Sequence, residues 1–192
     1  MKIGVLALQG GVIEHINHLK ALGCEAVEIR KAEELDDLDG IILPGGESTT
    51  LGKLLNITGI MDKLRNKIVN RFPVWGTCAG MILLAKKIEN DETKHLDVMD
   101  ITVKRNAYGS QLDSFETLEK IYAVDSEPIP MVFIRAPYII AAGSNVDILC
   151  QVNGNIVAAK EKSMLVTSFH PELTSDLRFH KYFIDFCKEH KK

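Results

Sequence analysis

The stretch that most constrains this chain runs from Phe72 to Ala85: Phe-Pro-Val-Trp-Gly-Thr-Cys-Ala-Gly-Met-Ile-Leu-Leu-Ala. A short apolar run behind a proline predicts a buried strand, and the Ala79 to Ala85 run predicts a helix, so Cys78 falls at the joint. Gly76 and Gly80 stand two residues to either side, where a sharp strand-to-helix reversal is most crowded, and the reversal lifts the apical side chain clear of the sheet. At a helix N-terminus a thiol meets the positive end of the dipole and free backbone N–H groups, which favour the thiolate. The pattern admits an activated nucleophile or a glycine-punctuated turn around a small hydrophobic cysteine. The nucleophile case expects Cys78 to face solvent and to fill no core volume.

With 192 residues, 46% hydrophobic and 26% charged, the chain suits a single globular domain spanning residues 1–192. A formal charge of −3 gives no electrostatic basis for nucleic acid or an anionic membrane. Lys188, Lys191 and Lys192 fit a solvated helix end. The Ile3 to Leu8 run is too short for a signal-peptide core and no apolar run reaches bilayer length, so a soluble, cytoplasmic protein is expected. Cys24, Cys78, Cys150 and Cys187 are scattered without a Cys-x-x-Cys pair, which fits neither a zinc site nor a disulfide framework. Apart from Cys78 they read as small core residues.

Strand and helix alternate over the first half. Ile3 to Leu8 is a strand of the kind buried on both faces, ended by Gln9-Gly10-Gly11. Val12, Ile16, Leu19 and Leu22 recur at helical spacing up to Gly23. Ala26 to Arg30 is a second strand, Glu33 to Leu38 a short acidic turn or helix, and Gly40 to Leu43 a third strand entering Pro44-Gly45-Gly46-Glu47-Ser48-Thr49-Thr50. Leu51 to Leu55 and Ile60 to Ile68 give two helices parted near Asn56 to Gly59. This alternation is the signature of a doubly wound parallel sheet with its site at the C-terminal strand edge. Beyond Asn90, short runs at Val98–Arg105, Ile121–Val124, Met131–Ile134, Val146–Val152, Ile156–Lys160 and Met164–Phe169 predict an antiparallel extension, with an Asn153-Gly154 hairpin. Leu173 to His190 closes the chain as a helix whose Phe179, Phe183 and Phe186 form a core-facing stripe.

A cysteine nucleophile needs a base. His15, His18, His95, His180 and His190 read as ordinary surface or half-buried residues, whereas His170 ends an apolar strand and starts His170-Pro171-Glu172. Pro171 pushes the preceding residue into an extended conformation, and i and i+2 of an extended chain point the same way, so Glu172 is expected beside the His170 ring. A carboxylate on one imidazole nitrogen sets the tautomer and leaves the other nitrogen for the thiol. An oxyanion formed on the substrate would need backbone donors, for which Ala79 N–H and the Gly45-Gly46 turn are candidates. Glu47 and Ser48 fit a helix-start acid and cap, or a substrate contact.

Gly-Thr-Cys-Ala-Gly, Pro-Gly-Gly-Glu-Ser and His-Pro-Glu in this order resemble the class I, or triad, glutamine amidotransferases. Leu8-Gln9-Gly10, Gly45-Gly46-Glu47-Ser48-Thr49-Thr50, Arg105-Asn106-Ala107-Tyr108-Gly109, Phe133-Ile134-Arg135-Ala136-Pro137 and His170-Pro171-Glu172-Leu173 narrow the resemblance to the glutaminase subunit of pyridoxal 5′-phosphate synthase, the PdxT family, over essentially the whole chain. The resemblance implies a three-layer α/β fold whose parallel sheet core is extended by antiparallel strands. It also implies Cys78 as nucleophile with His170 and Glu172 as its relay, and glutamine held by Gly46, Glu47, Ser48, Arg105, Ile134 and Arg135. No metal or organic cofactor is implied. The implied partner is a (β/α)₈ synthase subunit that receives the ammonia, with Gln9, Gly10 and Gly11 as a partner-coupled loop or simply the turn into the first helix. Ser110 and Ser175 depart from the pattern, where an arginine and an acid are expected. Competing functions are the glutaminase of another pathway, such as imidazole glycerol phosphate synthase, a cysteine-elbow hydrolase, and a non-catalytic module.

Overall fold

The computed structural model describes residues 1–106 and 114–191. In chain order they form β1 (Lys2–Leu6), α1 (Val12–Ala21), β2 (Glu25–Ile29), β3 (Gly40–Leu43), α2 (Ser48–Ile57), α3 (Ile60–Val69), β4 (Val74–Thr77) and α4 (Ala79–Leu84). There follow β5 (Ala85–Ile88), β6 (Met99–Lys104), β7 (Ser114–Glu119), β8 (Ile129–Ile134), β9 (Tyr138–Ala142), β10 (Asp147–Val152), β11 (Asn155–Glu161), β12 (Met164–Thr167) and α5 (Arg178–His190). Short 3₁₀ turns lie at Ala32–Leu35 and Pro171–Leu173.

Five strands in the order β2-β1-β3-β4-β12 are parallel neighbours, antiparallel pairing through β11 and β9 carries the sheet on to β6, and β6 pairs in parallel with β5. Side chains on successive strand residues enter opposite cores. Ile41, Leu43, Val74 and Val166 join one cluster with α2, α3 and α4, while Ile42, Trp75 and Leu165 join the other with α1 and α5. Helices thus cover both faces, which is why these strands read as continuous apolar runs. The register Thr77↔Thr167 brings the ends of β4 and β12 out together at one sheet edge.

The hairpin forms as expected, with both Asn153 and Gly154 at positive φ between β10 and β11. Other boundaries differ. Ile121 to Val124 is a turn, held by Val124 N–H donating to the Ile121 carbonyl at 2.7 Å, with Ile121 buried as its apolar anchor. The strand that pairs with β8 is instead β7, whose exposed and half-buried residues alternate along a surface ribbon. The helix after Cys78 stops at Leu84, and Ala85 to Ile88 pairs with β6. The last helix begins at Arg178, not Leu173, after the 3₁₀ turn and a loop in which Asp176 caps the Arg178 N–H. Phe179, Phe183 and Phe186 are buried against the sheet as expected. Lys188 pairs with Asp185 and Lys191 with Asp39. Ala107, Tyr108, Gly109, Ser110 and Lys192 lie outside the described residues.

Candidate active site

Cys78 sits between β4 and α4 with φ 50° and ψ −107°, a conformation a side chain resists, and its N–H donates to the Thr167 carbonyl of β12 at 2.8 Å. The flanking glycines are required by contact: a Cβ on Gly76 would lie 2.5 Å from the Gly80 backbone, and one on Gly80 would lie 2.0 Å from the Leu43 carbonyl oxygen. Cys78 is only 8% exposed, so the expectation of an open, solvent-facing thiol is corrected. It lines a cavity of about 500 Å³ instead, and Gly46, Glu47, Ser48, Ala79, Arg105, Ile134, Arg135 and His170 line it too. A second hollow of about 450 Å³, between Lys63, Lys67, Arg71 and Lys191, flanks Pro73, where the chain enters β4 at the other end of the strand.

His170 follows β12, and its backbone N–H donates to Val132 of β8 at 2.8 Å. The ring reaches Glu172 Oε1 through Nδ1 at 2.7 Å and stands next to Cys78, a Cβ on Gly45 meeting both His170 Cε1 and Cys78 Cβ. The pairing with Glu172 is as expected but its geometry is not, because Pro171–Leu173 is a 3₁₀ turn with Pro171 at its start rather than an extended segment. Burial works against the imidazolium, but Cys78 and Glu172 outweigh it and push the His170 pKa up to about 10.

Glu47 is the N-cap of α2. Its carboxylate accepts from Thr49 N–H at 3.0 Å, Thr50 N–H at 2.7 Å and the Thr50 hydroxyl at 2.6 Å. These bonds, the Thr50 hydroxyl foremost, hold its pKa at about 2. Ser48 is the first helical residue and is buried. Arg105 pairs with Asp91, with Thr49 Oγ1 at 3.5 Å, and Arg135 is exposed at φ 42°. Gln9 Oε1 accepts from the Glu47 backbone N–H at 2.9 Å. Gly10, at φ 87°, packs so that a Cβ would lie 2.2 Å from the Gly45 carbonyl oxygen, while a Cβ on Gly45 would lie 2.7 Å from His170 Cε1. Gly11 passes directly over Glu172, where a Cβ would meet Cγ at 3.0 Å. The loop, the Gly45-Gly46 turn and the His-Pro-Glu turn are therefore one packed unit.

Three histidines expected near the surface are buried instead: His15 and His180 have no exposed surface and His95 is 5% exposed. His15 on α1 lies behind Glu172, and His180 on α5 lies behind His15. Their signal in the sequence was position, since His15 adjoins Ile16 on the apolar face of α1 and His180 sits beside Phe179. Cys150 and Cys187 are buried and Cys24 half-buried, all four cysteines are free, and no cluster among the described residues has metal-ligand form. No helix among the described residues is long and apolar enough to cross a membrane.

The sheet order and the cysteine turn after its fourth strand give the chain the fold of the class I glutamine amidotransferases. A solved structure described as a glutamine amidotransferase superposes with a TM-score of 0.92 at 43% identity, over 97% of this chain and 98% of that one. The chain belongs to the SNO glutamine amidotransferase family, whose model matches residues 5–189. It is 60% identical to the pyridoxal 5′-phosphate synthase subunit PdxT of Clostridium kluyveri, over 98% of this chain and 100% of that protein. It is 61% identical to the subunit of the same name from Clostridium botulinum, strain Loch Maree, over 96% of each.

Proposed function

We propose that this chain is the glutaminase of a pyridoxal 5′-phosphate synthase and that Cys78, His170 and Glu172 carry the hydrolysis. The observation that supports it is the meeting of Cys78 and His170 at the wall of a cavity rimmed by Glu47, Arg105 and Arg135, with the His170 ring held 2.7 Å from the buried Glu172 carboxylate behind it. The Cys78 thiolate attacks the side-chain amide carbon of L-glutamine, and the oxyanion that forms is received by the Ala79 N–H at the start of α4 and by the Gly45-Gly46 turn. His170, with Nδ1 held by Glu172, gives its other ring proton to the departing nitrogen and releases ammonia. Water then enters, His170 takes its proton, and the γ-glutamyl thioester is cleaved to L-glutamate and the free thiolate. Glu47 is ionised throughout the neutral range and suits the substrate ammonium, while Arg105 and Arg135 suit its carboxylate. The chemistry requires neither metal nor organic cofactor.

Ammonia released without an acceptor is lost to solvent, so a (β/α)₈ synthase subunit that captures it is the proposed partner, and the names of the relatives support it. The Gln9-Gly10-Gly11 loop is the proposed coupling element, because it touches both the oxyanion turn and Glu172. The test is glutamate release with and without the purified barrel subunit: activity that rises strongly on adding the barrel supports the proposal. Full activity without it removes the coupling, and no hydrolysis in either case removes the glutaminase assignment.

A further inference from the structure

The Glu172 carboxylate has a second oxygen that the triad does not use. Oε2 lies 3.5 Å from His15 Nε2, and both atoms are buried and without a hydrogen-bond partner among the described residues. His15 Nδ1 is 2.8 Å from His180 Nε2, and His180 Nδ1 is 3.1 Å from His18 Nδ1. Three imidazoles thus run in single file from the back of Glu172 to half-exposed His18. Trp75 packs edge-on against His15 and His180, with ring centroids 5.5 and 5.0 Å away, and keeps the file in place.

Each neutral imidazole has one N–H and one lone pair, so the tautomers of the file are coupled. If His15 carries its proton on Nδ1, a lone pair on Nε2 faces a carboxylate oxygen in a dry site, and both acceptors go unpaired. If it carries the proton on Nε2, the Glu172 oxygen gains a donor. His180 then donates from Nε2 to His15 Nδ1, and His18 donates from Nδ1 to His180 Nδ1. Every internal contact is satisfied and every N–H points toward Glu172. Burial, then the neighbouring imidazoles, keeps His15 neutral, and burial drives the His180 pKa down to about 3. His18 is lowered by burial but is held up by the Thr174 carbonyl and by the charges of Glu172 and Asp176. A proton arriving from solvent therefore settles on His18, where it serves the Thr174 carbonyl and leaves the direction of the file intact.

We propose that His15 is a positioning residue for the amidotransferase site: its Nε2–H holds Glu172 Oε2, with His180 and His18 fixing its tautomer, so that Oε1 is reserved for His170. The proposal rests on the Cys78–His170–Glu172 assignment and adds a fourth group, on α1, that acts only through Glu172. α1 follows directly on the Gln9-Gly10-Gly11 loop, with the His15 N–H donating to the Gly11 carbonyl at 3.1 Å, so loop and carboxylate share one mounting.

The first test uses the wild-type chain, ¹⁵N-labelled at histidine, in complex with the barrel synthase near neutral pH. The imidazole nitrogen shifts should report His15 protonated on Nε2 and bare on Nδ1; an Nδ1–H or cationic His15 overturns the proposal. The second compares His15→Leu with His15→Gln, whose amide N–H₂ reaches the same place, and with His180→Phe. Losing the donor should leave KM within about twofold and lower kcat by about 10- to 100-fold, the size of a modest misplacement. The His170 titration should also move upward in His15→Leu, because an undamped Glu172 carboxylate holds the imidazolium more tightly. His15→Gln should recover most of the rate, and His180→Phe should show a smaller loss of the same kind. If folded His15→Leu and His180→Phe differ from wild type in stability alone, with kcat and the pH profile unmoved, His15 is a packing residue and the proposal fails. If Cys78→Ser retained activity the triad assignment would fail instead, and the tautomer measurement would still stand.

Discussion

The cavity side of His170 is lined by Glu47, Arg105 and Arg135, all with surface open to solvent, whereas the side behind Glu172 is closed by His15, His180 and Trp75, none with exposed surface. The two sides solve different problems. On the wet side Glu47 is fixed by its own helix cap and Arg105 by Asp91, and water can leave when a charged amino acid arrives. On the dry side no water compensates an unpaired atom, so hydrogen-bond direction matters more than charge. Groups on the wet side are expected to govern affinity, and groups on the dry side to govern rate.

Substitutions can break this division, and the largest effect belongs to the group between the two sides. Cys78→Ala should lower glutamate release by more than about 10³-fold in the presence of the synthase, with far-ultraviolet circular dichroism unchanged. On the dry side, Glu172→Gln should lower kcat by about 10²–10⁴-fold with little change in KM, since it presents the wrong hydrogen-bonding pattern to His170. A change mainly in KM would place Glu172 among the binding groups and erase the contrast. On the wet side, Arg105→Ala and Arg135→Ala should raise KM by about tenfold, as befits loss of a charge-assisted hydrogen bond. Alkylation of Cys78 by a small haloacetamide should proceed at its former rate, and a slowed alkylation would mean that these arginines act on the thiol rather than on the substrate.

The smallest effect is one of stability. The pKa of His170 is raised from its ordinary value to about 10, so its ion pairing stabilises the fold fully below the unfolded value near 6.5 and is lost as pH rises through about 10. Denaturant unfolding should show stability falling across that window. In Cys78→Ala, which removes one of the two partners holding the imidazolium, the fall should begin at the same pH but be smaller and end at lower pH. An unchanged profile would mean that Cys78 does not hold the proton.

What the sequence revealed follows the same division. The elbow, the Gly45-Gly46 turn and the His-Pro-Glu stretch are local patterns in which glycine or proline records a backbone requirement, and the contacts of Gly76, Gly80 and Gly45 show that requirement directly. The inner strands of the parallel sheet, β1, β3, β4 and β12, were legible because they are buried on both faces and almost wholly apolar. β7 and β9 were not, since Ser114–Glu119 carries Glu116 and Glu119 and lies at the surface, and a half-exposed strand leaves only a weak alternation. The Glu172 contact was anticipated for a reason that proved wrong, as a 3₁₀ turn and an extended segment can bring the same two side chains together. The histidine file was hidden for another reason: its members come from two helices 162 or more residues apart, and nothing local marks a histidine as buried.

The most direct test of the central claim is to expose the complex of this chain with the barrel synthase to a glutamine analogue whose side-chain amide is replaced by a diazoketone, and to locate the adduct by peptide mass spectrometry. Burial raises the pKa of Cys24, Cys150 and Cys187 and keeps them as thiols, so labelling should fall on Cys78 alone. Excess glutamine should slow it, and His170→Ala should abolish it. An adduct on another cysteine, or none on Cys78 while the complex is hydrolysing glutamine, would contradict the account.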